Sequence, residues 1–340
     1  MRLINVSVNE ALGYQVAHSQ MGHRNRLPKA SMITQADILD LIEAGIDTLD
    51  VIVPDDSDVS EEVVADRLVD ALTWTNCETK RANGGRYNIY ASCDGLLCFD
   101  RAMIDGFNAI CEDITLATRL PQTPVKLGDH IATLKIIPFF VQNDNVELAE
   151  SAMQIMEVAV RPWRNTLRVE LIQTRNGTVS SKIQDKALEI QTQRLAFYGI
   201  DQLHEYREQH RIEDLAIEIT KASARKTDIL LILGASAICD RSDIVPSALV
   251  EAGGSITYFG MPVDPGNLML IGALGSMTVI GMPGCVRSPA FNGLDLVLDR
   301  LVAGLDVMAA DIQAMGVGGL LKTFPSRLNR PATNTLELSA

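Results

Sequence analysis

Short apolar runs and longer amphipathic runs alternate along the second half of the chain, and this alternation constrains the fold more than any other feature. Strands and helices that alternate with short connections form a mostly parallel sheet with helices on both faces. The sequence therefore predicts a three-layer α/β domain over residues 161–325. The predicted strands are Leu167 to Thr174, Asp228 to Leu233, Ile256 to Phe259, Leu268 to Ile271 and Thr278 to Met282, and the predicted helices are Lys182 to Tyr198, Ile212 to Ala224, Asp243 to Ala252 and Phe291 to Val302.

The segment from residue 34 to residue 72 is acidic and has the pattern of helices. Apolar spacing predicts helices from Thr34 to Gly45 and from Ser60 to Leu72. The second helix has one apolar face, which consists of Val63, Val64, Leu68 and Leu72. Between Asp37 and Asp70 the only base is Arg67, so most of the chain's net charge of -13 is concentrated in this segment. We expect it to form a solvated face or a partner surface.

The sequence from residue 84 to residue 158 predicts small β elements and one further helix. Short apolar runs broken by Gly, Asp and Pro over residues 84–140 are typical of strands, and a helix is expected from Val146 to Val158. A domain boundary is predicted near residues 161–164. Residues 1–160 then form a smaller α+β N-terminal domain, and residues 326–340 form a loose tail.

Composition excludes several classes of function. With 47% hydrophobic residues in a chain of 340, a core can form, which excludes general disorder. The 30 Lys and Arg residues face 43 Asp and Glu and form no basic stripe, which argues against nucleic-acid binding. No Cys-x-x-Cys pair occurs and the histidines are scattered, so no structural zinc site is expected. Glu10 interrupts any secretory signal, which predicts a cytoplasmic protein with reduced thiols.

The uncharged segment from Pro265 to Val286 could be mistaken for a membrane span. Five glycines and Pro283 interrupt it, and Gly275-Ser276 divides it into two short apolar runs. This pattern favours a hairpin of two buried strands over a helix in a bilayer. We therefore expect no membrane association.

Three loops at the carboxyl ends of the predicted strands carry the candidate chemistry, because ligands of parallel sheets bind at that edge. We name them the first loop (residues 234–243), the second loop (259–267) and the third loop (281–289). The first loop begins with the small residues Gly234, Ala235 and Ser236. Such a turn exposes backbone N–H groups to an anionic ligand, and the alternative is a tight turn without a ligand.

Charged residues in these loops have two interpretations each. Asp240 and Asp243 are candidate catalytic residues or Mg²⁺ ligands, and the alternative is that they cap the following helix. Arg287 in the third loop is suited to a phosphate, and the alternative is a solvated side chain. Cys239 and Cys285 are expected to pack rather than react. None of the five histidines falls in these loops, so no Ser/His/Asp arrangement is predicted.

The order of these loops resembles the molybdopterin-binding domain of molybdenum cofactor biosynthesis proteins, which include molybdopterin adenylyltransferases and molybdopterin molybdotransferases. The resemblance lies in Gly234-Ala-Ser with Asp243, in Met261-Pro-Val-Asp-Pro-Gly266, in the hairpin, and in Met282-Pro-Gly-Cys-Val-Arg-Ser288. Glu10-Ala-Leu-Gly13 and the helix over residues 33–45 are similar to the opening of the molybdotransferases. The pattern up to Leu320 is similar to the N-terminal portion of bifunctional proteins that continue into a nucleotidyltransferase domain.

The resemblance implies a set of cofactor-binding positions, with several departures from the family's pattern. Ala235 stands in place of a glycine, Asp264 and Asn267 in place of two lysines, and Cys285 in place of an asparagine. Arg175, Lys182 and Arg287 are basic residues predicted at the same sheet edge. The implied binding residues are Gly234, Ala235, Ser236, Asp185, Asp264, Pro265, Gly266, Pro283, Gly284, Arg287 and Ser288.

By this resemblance the protein binds molybdopterin and acts in molybdenum cofactor biosynthesis. If it is a transferase, Asp240 or Asp243 would place Mg²⁺ for nucleotidyl transfer from ATP or another nucleotide, or would assist molybdate insertion. The alternative is a non-catalytic cofactor carrier, or a partner subunit of a separate nucleotidyltransferase or a molybdoenzyme. The resemblance also implies a homo-oligomer.

Overall fold

A computed structural model of the protein describes residues 1–322. Its contacts divide the chain into two compact units, one of residues Met1–Arg161 and one that begins at Pro162. The tail predicted for residues 326–340 lies outside the described residues. Within residues 1–322, no helix is both long and apolar enough to cross a membrane.

The first unit combines short strands with four α-helices among its described residues. Its helices are α1 (Gln35–Glu43), α2 (Glu61–Ala71), α3 (Arg101–Asn108) and α4 (Asn143–Gln154). Its strands are β1 (Arg2–Ser7), β2 (Gln15–Val16), β3 (Gln20–Met21), β4 (Arg26–Leu27), β5 (Thr48–Val53), β6 (Asp58–Ser60), β7 (Thr73–Thr75), β8 (Cys77–Ala82), β9 (Arg86–Ala91), β10 (Gly95–Cys98), β11 (Ile114–Thr118), β12 (Pro124–Val125), β13 (His130–Ile136), β14 (Phe140–Gln142) and β15 (Glu157–Pro162).

These strands form several small sheets, ordered β1-β5-β2, β12-β10-β15-β7 and β11-β13-β9-β8, with the pairs β14-β6 and β3-β4. A core of buried residues such as Leu68, Ile89 and Leu134 lies between α2, α4 and the strands. The predicted helices α1 and α2 are confirmed. Thr34 begins α1 because its hydroxyl accepts from the backbone N–H of Asp37, whose carboxylate accepts from the backbone N–H of Thr34 in return.

The first unit differs from the predictions in four places. A helix, α3, lies inside the region predicted to be purely β, because Asp100 caps it and Ile104 and Phe107 bury one side of a short, Gly-containing stretch. The helix predicted to reach Val158 ends at Gln154, and β15 follows. In α2, Val63 is exposed rather than buried. Strand β5, which pairs with β1 along six residues, lies in the segment 34–72, for which only helices were predicted.

The second unit contains the predicted α/β sheet. Its strands are β16 (Val169–Arg175), β17 (Leu203–Gln209), β18 (Ile229–Leu233), β19 (Ser255–Phe259), β20 (Leu270–Leu274) and β21 (Met277–Gly281). Its helices are α5 (Ser181–Ala196), α6 (Ile212–Ala224), α7 (Ile244–Glu251), α8 (Gly293–Val302) and α9 (Ala309–Ala314). The sheet order is β17-β16-β18-β21-β20-β19, and β20 runs antiparallel to both of its neighbours while the β17, β16, β18 and β21 pairings are parallel.

Both faces of this sheet are covered, as the alternation of residues along β18 shows. Ile229, Leu231 and Leu233 pack into one core with α5 and α8. Leu230 and Ile232, which point the other way, pack into a second core with α6 and α7. The predicted mostly parallel sheet with helices on both faces is therefore present, and the predicted hairpin turns at Gly275, whose φ is 61°.

One strand of the sheet was not predicted. β17 has the sequence Leu-His-Glu-Tyr-Arg-Glu-Gln and lies at the edge of the sheet, where none of its residues is fully buried. A strand at an edge needs no continuous apolar run, so its pattern resembles that of a polar loop. Its presence places His210, the next residue, at the carboxyl edge of the sheet.

Candidate functional site

The first loop is held to the end of β16 by a buried threonine. Thr174, the second-last residue of β16, is 1% exposed. Its Oγ1 accepts a hydrogen bond of 2.8 Å from the backbone N–H of Ala235. Gly234 fits here because a Cβ at this position would lie 2.8 Å from the carbonyl oxygen of Ser236. The small residues of the first loop therefore form a tight turn against β16.

His210 connects the ends of β16, β17 and β18. Its Nδ1 lies 2.8 Å from Thr174 Oγ1, and its Nε2 lies 2.7 Å from Ser236 Oγ. Its backbone N–H donates to the carbonyl oxygen of Arg175 at 2.9 Å. The sequence predicted no Ser/His/Asp arrangement because no histidine lies within the three loops, but the unrecognised strand β17 carries His210 to this edge, beside Ser236.

The environment of His210 favours its neutral form. Burial lowers the pKa of the imidazole below its ordinary value, and the nearby carboxylate of Asp243 opposes this shift only in part. Because an unperturbed histidine titrates near pH 6.5, a lowered pKa leaves His210 uncharged at neutral pH. Its two ring nitrogens then have different roles, one as donor and one as acceptor.

Arg287 joins the third loop to the first. Its Nη2 donates to the carbonyl oxygen of Gly234 at 3.0 Å, and its side chain is half-buried. Burial lowers the pKa of Arg287, but an arginine stays charged in proteins. The structure thus brings together Gly234, Ala235, Ser236 and Arg287 among the predicted residues, with Pro283, Gly284 and Ser288 in the same third-loop segment.

A buried arginine on α5 shapes the third loop from behind. Arg194 is 2% exposed, and its Nε donates to Oδ1 of Asp295 on α8 at 2.9 Å. Its Nη1 donates to Gln191 Oε1 at 2.9 Å, and Gln191 Nε2 donates to the carbonyl oxygen of Val286 at 2.8 Å. Gln191 and Arg194 were not predicted from the sequence. Their spacing places them on the buried face of α5, but it does not indicate which polar groups they contact.

The second loop packs against the start of α8. Gly266 has a φ of 142°, and a Cβ there would lie 2.9 Å from the backbone N and Cα of Gly293. The carbonyl oxygen of Pro265 accepts from the N–H of Gly293 at 2.9 Å. Asp264 forms an ion pair of 2.7 Å with Lys322 and pairs through its backbone with Gly319 and Leu321. The predicted binding residues Asp264, Pro265 and Gly266 therefore have structural contacts of their own.

Asp240 and Asp243 are used within the first loop. Asp243 Oδ2 accepts from the backbone N–H groups of Cys239 and Asp240. Asp240 Oδ1 accepts from the hydroxyl and the N–H of Ser242, and these bonds lower the pKa of Asp240. Asp243 precedes α7, but its side chain makes no cap hydrogen bond to that helix. Both carboxylates thus stabilise the loop turn. Within residues 1–322, no three or more His, Cys, Asp and Glu side chains are arranged so that they could hold a metal ion.

The remaining predicted residues at this edge differ in their surroundings. Asp185 on α5 forms an ion pair of 2.6 Å with Arg207 of β17, which accounts for its charge without a ligand. Arg175 and Lys182 are exposed at the end of β16 and the start of α5. Burial raises the pKa of Cys285, which keeps this residue a thiol.

A surface depression of about 400 Å³ lies at the other end of the sheet. Residues at the amino ends of β16 and β17, among them Arg168, Val169 and His204, line it. Ligands of parallel sheets bind at the carboxyl ends, and the joined loops with their polar side chains lie there. We therefore assign the candidate site to the loops and not to this depression.

Comparisons with known proteins give distant structural likenesses. No protein-family model matches the chain, and no curated protein sequence matches it. Among solved structures, the chain is similar to the molybdopterin biosynthesis MoeA protein from Pyrococcus horikosii, at 12% identity and a TM-score of 0.29, over 88% of this chain and 75% of that one. It is also similar to a molybdenum cofactor biosynthesis protein B, at 14% identity and a TM-score of 0.26, over 39% of this chain and 85% of that one.

Proposed function

We propose that this protein binds molybdopterin at its joined first and third loops and acts in molybdenum cofactor biosynthesis. The loop order that resembles the molybdopterin-binding domain supports the ligand class. The observation that carries the proposal is the hydrogen bond from Arg287 to the carbonyl oxygen of Gly234, which joins the two loops at the carboxyl edge of the sheet. The ligand is then held where sheets of this type bind their ligands.

The groups at these loops fit a ligand that carries a phosphate. The backbone N–H groups of Ser236 and Ala237 have no acceptor among the described residues, and both residues are exposed. The hydroxyl of Ser236 lies beside them, and the guanidinium of Arg287 supplies a positive charge. Backbone N–H groups, a hydroxyl and an arginine are the usual donors to phosphate oxygens in proteins.

The structure favours the carrier or partner-subunit form of this function over the transferase form. Nucleotidyl transfer would need Mg²⁺ held by carboxylates, but Asp243 Oδ2 and Asp240 Oδ1 each accept two hydrogen bonds inside the loop. The second loop, where the family has two lysines, offers Asp264 paired with Lys322 instead. We therefore infer that binding is the primary activity.

Calorimetric titration of the full chain with molybdopterin tests the proposal. We expect saturable binding that Arg287→Ala weakens about tenfold, the effect of removing one charged hydrogen-bonding group. Lys186→Ala, an exposed substitution on α5, is the matched control and should bind normally. Absence of binding, or equal affinity of the Arg287→Ala and wild-type chains, would contradict the assignment of the site.

The same titration with ATP and Mg²⁺ separates the two forms. A carrier binds molybdopterin with unchanged affinity and forms no adenylylated product. Formation of such a product, and its loss in Asp240→Asn or Asp243→Asn, would establish the transferase instead. The Asn variants keep the size of the side chain and an oxygen acceptor for the loop hydrogen bonds, so they test the carboxylate charge.

A further inference from the structure

Four groups at the carboxyl edge form a continuous chain of hydrogen bonds. It runs from the backbone N–H of Ala235 to Thr174 Oγ1 at 2.8 Å, from Thr174 to His210 Nδ1 at 2.8 Å, and from His210 Nε2 to Ser236 Oγ at 2.7 Å. Thr174 is 1% exposed and Ser236 is exposed, so the chain leads from the interior to the surface. The direction of the donors along this chain decides what Ser236 can do.

The buried hydroxyl of Thr174 sets that direction. Its oxygen already accepts from Ala235, and among the described residues His210 Nδ1 is the only acceptor within its reach. A buried hydroxyl without an acceptor costs about 1–3 kcal/mol. Thr174 therefore donates its proton to Nδ1, and a neutral imidazole that accepts at Nδ1 carries its hydrogen on Nε2.

The remaining steps follow from this tautomer. The Nε2–H of His210 donates to Ser236 Oγ, so the proton of the Ser236 hydroxyl is directed away from the histidine. The opposite arrangement, in which His210 accepts from Ser236 and acts as a base, would leave the Thr174 hydroxyl without an acceptor. Ser236 is thus a hydrogen-bond donor at the surface and not an activated nucleophile.

We infer that Thr174 and His210 are positioning residues that hold the Ser236 hydroxyl as a donor to an oxyanion ligand, namely a phosphate monoester. Successive hydrogen bonds in one direction polarise each other, which strengthens the terminal donor. The positive charge of Arg287 lies on the third loop, and its Nη2 donates to the carbonyl oxygen of Gly234, two residues before Ser236, so it favours an anionic acceptor there. This inference rests on the proposed function only for the choice of ligand.

Nitrogen NMR of the full chain with ¹⁵N-labelled histidine tests the tautomer without any ligand. The His210 signals are assigned by their loss in His210→Gln. We expect an unprotonated Nδ1 and a protonated Nε2 in the wild type and in Thr174→Ser, which keeps the hydroxyl. In Thr174→Val the donor to Nδ1 is lost, and the proton is expected to redistribute toward Nδ1. A wild-type His210 protonated at Nδ1 would overturn the inference.

Binding of phenyl phosphate, measured by calorimetry, tests the donor. We expect Ser236→Ala to weaken binding about tenfold and Thr174→Val to weaken it severalfold, with Thr174→Ser close to wild type. If the Ser236 hydroxyl is not a donor to the ligand, Ser236→Ala will bind phenyl phosphate as tightly as wild type, and that result would refute the donor role.

If the binding of phenyl phosphate depends on Ser236 while molybdopterin does not bind, the proposed function fails and this inference stands. If molybdopterin binds Ser236→Ala as tightly as wild type, the inference fails and the function stands.

Discussion

At the scale of single residues, the site depends on side chains that point inward as much as on those that face the ligand. Thr174 and Gln191 are buried, yet each fixes a loop by one hydrogen bond. The tight turn of the first loop could be predicted from its small residues, because a tight strand-to-helix turn needs them. The partners of Thr174 could not, since a contact between residues 174, 210 and 235 depends on the order of the strands.

The tight packing of Gly266 predicts a large cost for any side chain there. Gly266→Ala should destabilise the protein by about 2–4 kcal/mol, because a Cβ would meet the backbone of Gly293 in a conformation that favours glycine. Gly253→Ala is the matched control: its φ is also positive at 88°, but nothing lies within 4 Å of the added carbon. We expect it to cost about 1 kcal/mol. Urea denaturation measures both, and equal costs would contradict this account of the second loop.

Glu170 predicts a dependence of stability on pH. Burial alone would raise the pKa of this carboxylate, but hydrogen bonds from Arg225 and Arg168 outweigh burial and lower the pKa below its ordinary value of 4.5. A carboxylate with a lowered pKa stabilises the folded state above its unfolded pKa, and this stabilisation is lost as the pH falls through the folded pKa. Glu170 therefore contributes at neutral pH and ceases to contribute in acid.

Urea unfolding of Glu170→Gln at several pH values tests this contribution. We expect the variant to be about 2–3 kcal/mol less stable than wild type at pH 7, because Arg168 and Arg225 lose their charged partner. The difference should shrink steadily once the pH is below 4.5. Glu213→Gln, an exposed change on α6, should differ little from wild type at either pH. If the difference in unfolding free energy between wild type and Glu170→Gln stays constant as the pH falls, the charge of Glu170 is not the source of the stabilisation.

At the scale of elements, the contact of α5 with α8 positions the third loop. Arg194 and Asp295 form a buried ion pair of 2.9 Å between these helices, and Gln191 and Arg194 contact the carbonyl oxygen of Val286. Removal of one member of a buried pair leaves the other uncompensated. The stability of the unit and the shape of the loop are therefore coupled through α5.

Arg194→Met should destabilise the protein by about 3–5 kcal/mol, since Asp295 would keep a buried charge without its partner. Tyr198→Phe, two residues beyond the end of α5, removes the hydrogen bond of 2.8 Å to Asp299 Oδ1 and should cost about 1 kcal/mol. Chemical denaturation gives both values. If Arg194→Met costs no more than Tyr198→Phe, the ion pair does not have the role assigned to it.

Elements with a strong pattern could be predicted from the sequence, and weakly patterned ones could not. The helix predicted for Ile212 to Ala224 is found with the same bounds, and β18 differs from its prediction by one residue. α3 and β17 were missed because one is short and contains glycine while the other is polar at a sheet edge. Because β17 was not predicted, His210 was not recognised as a residue of the candidate site.

At the scale of the whole molecule, the chain divides into two units with different charge. The acidic segment lies in the first unit, where ion pairs such as Arg24 with Glu43 satisfy part of its charge. The joined loops belong to the second unit, and the residues described above as holding them lie in that unit: Thr174, His210, Arg194 and Arg287. We therefore expect changes in the acidic segment to leave molybdopterin affinity unchanged, which titration of Asp40→Asn together with Glu62→Gln would check.

Hydrogen exchange measured by mass spectrometry, with and without saturating molybdopterin, locates the binding site along the chain. We expect the ligand to protect backbone amides of residues 234–243 and 283–288, since these loops form the proposed site. The competing location is the depression of about 400 Å³ that includes Asn165 to Val169 and Gly199 to Gln202. Protection confined to that depression, or no protection of either loop, would contradict the account.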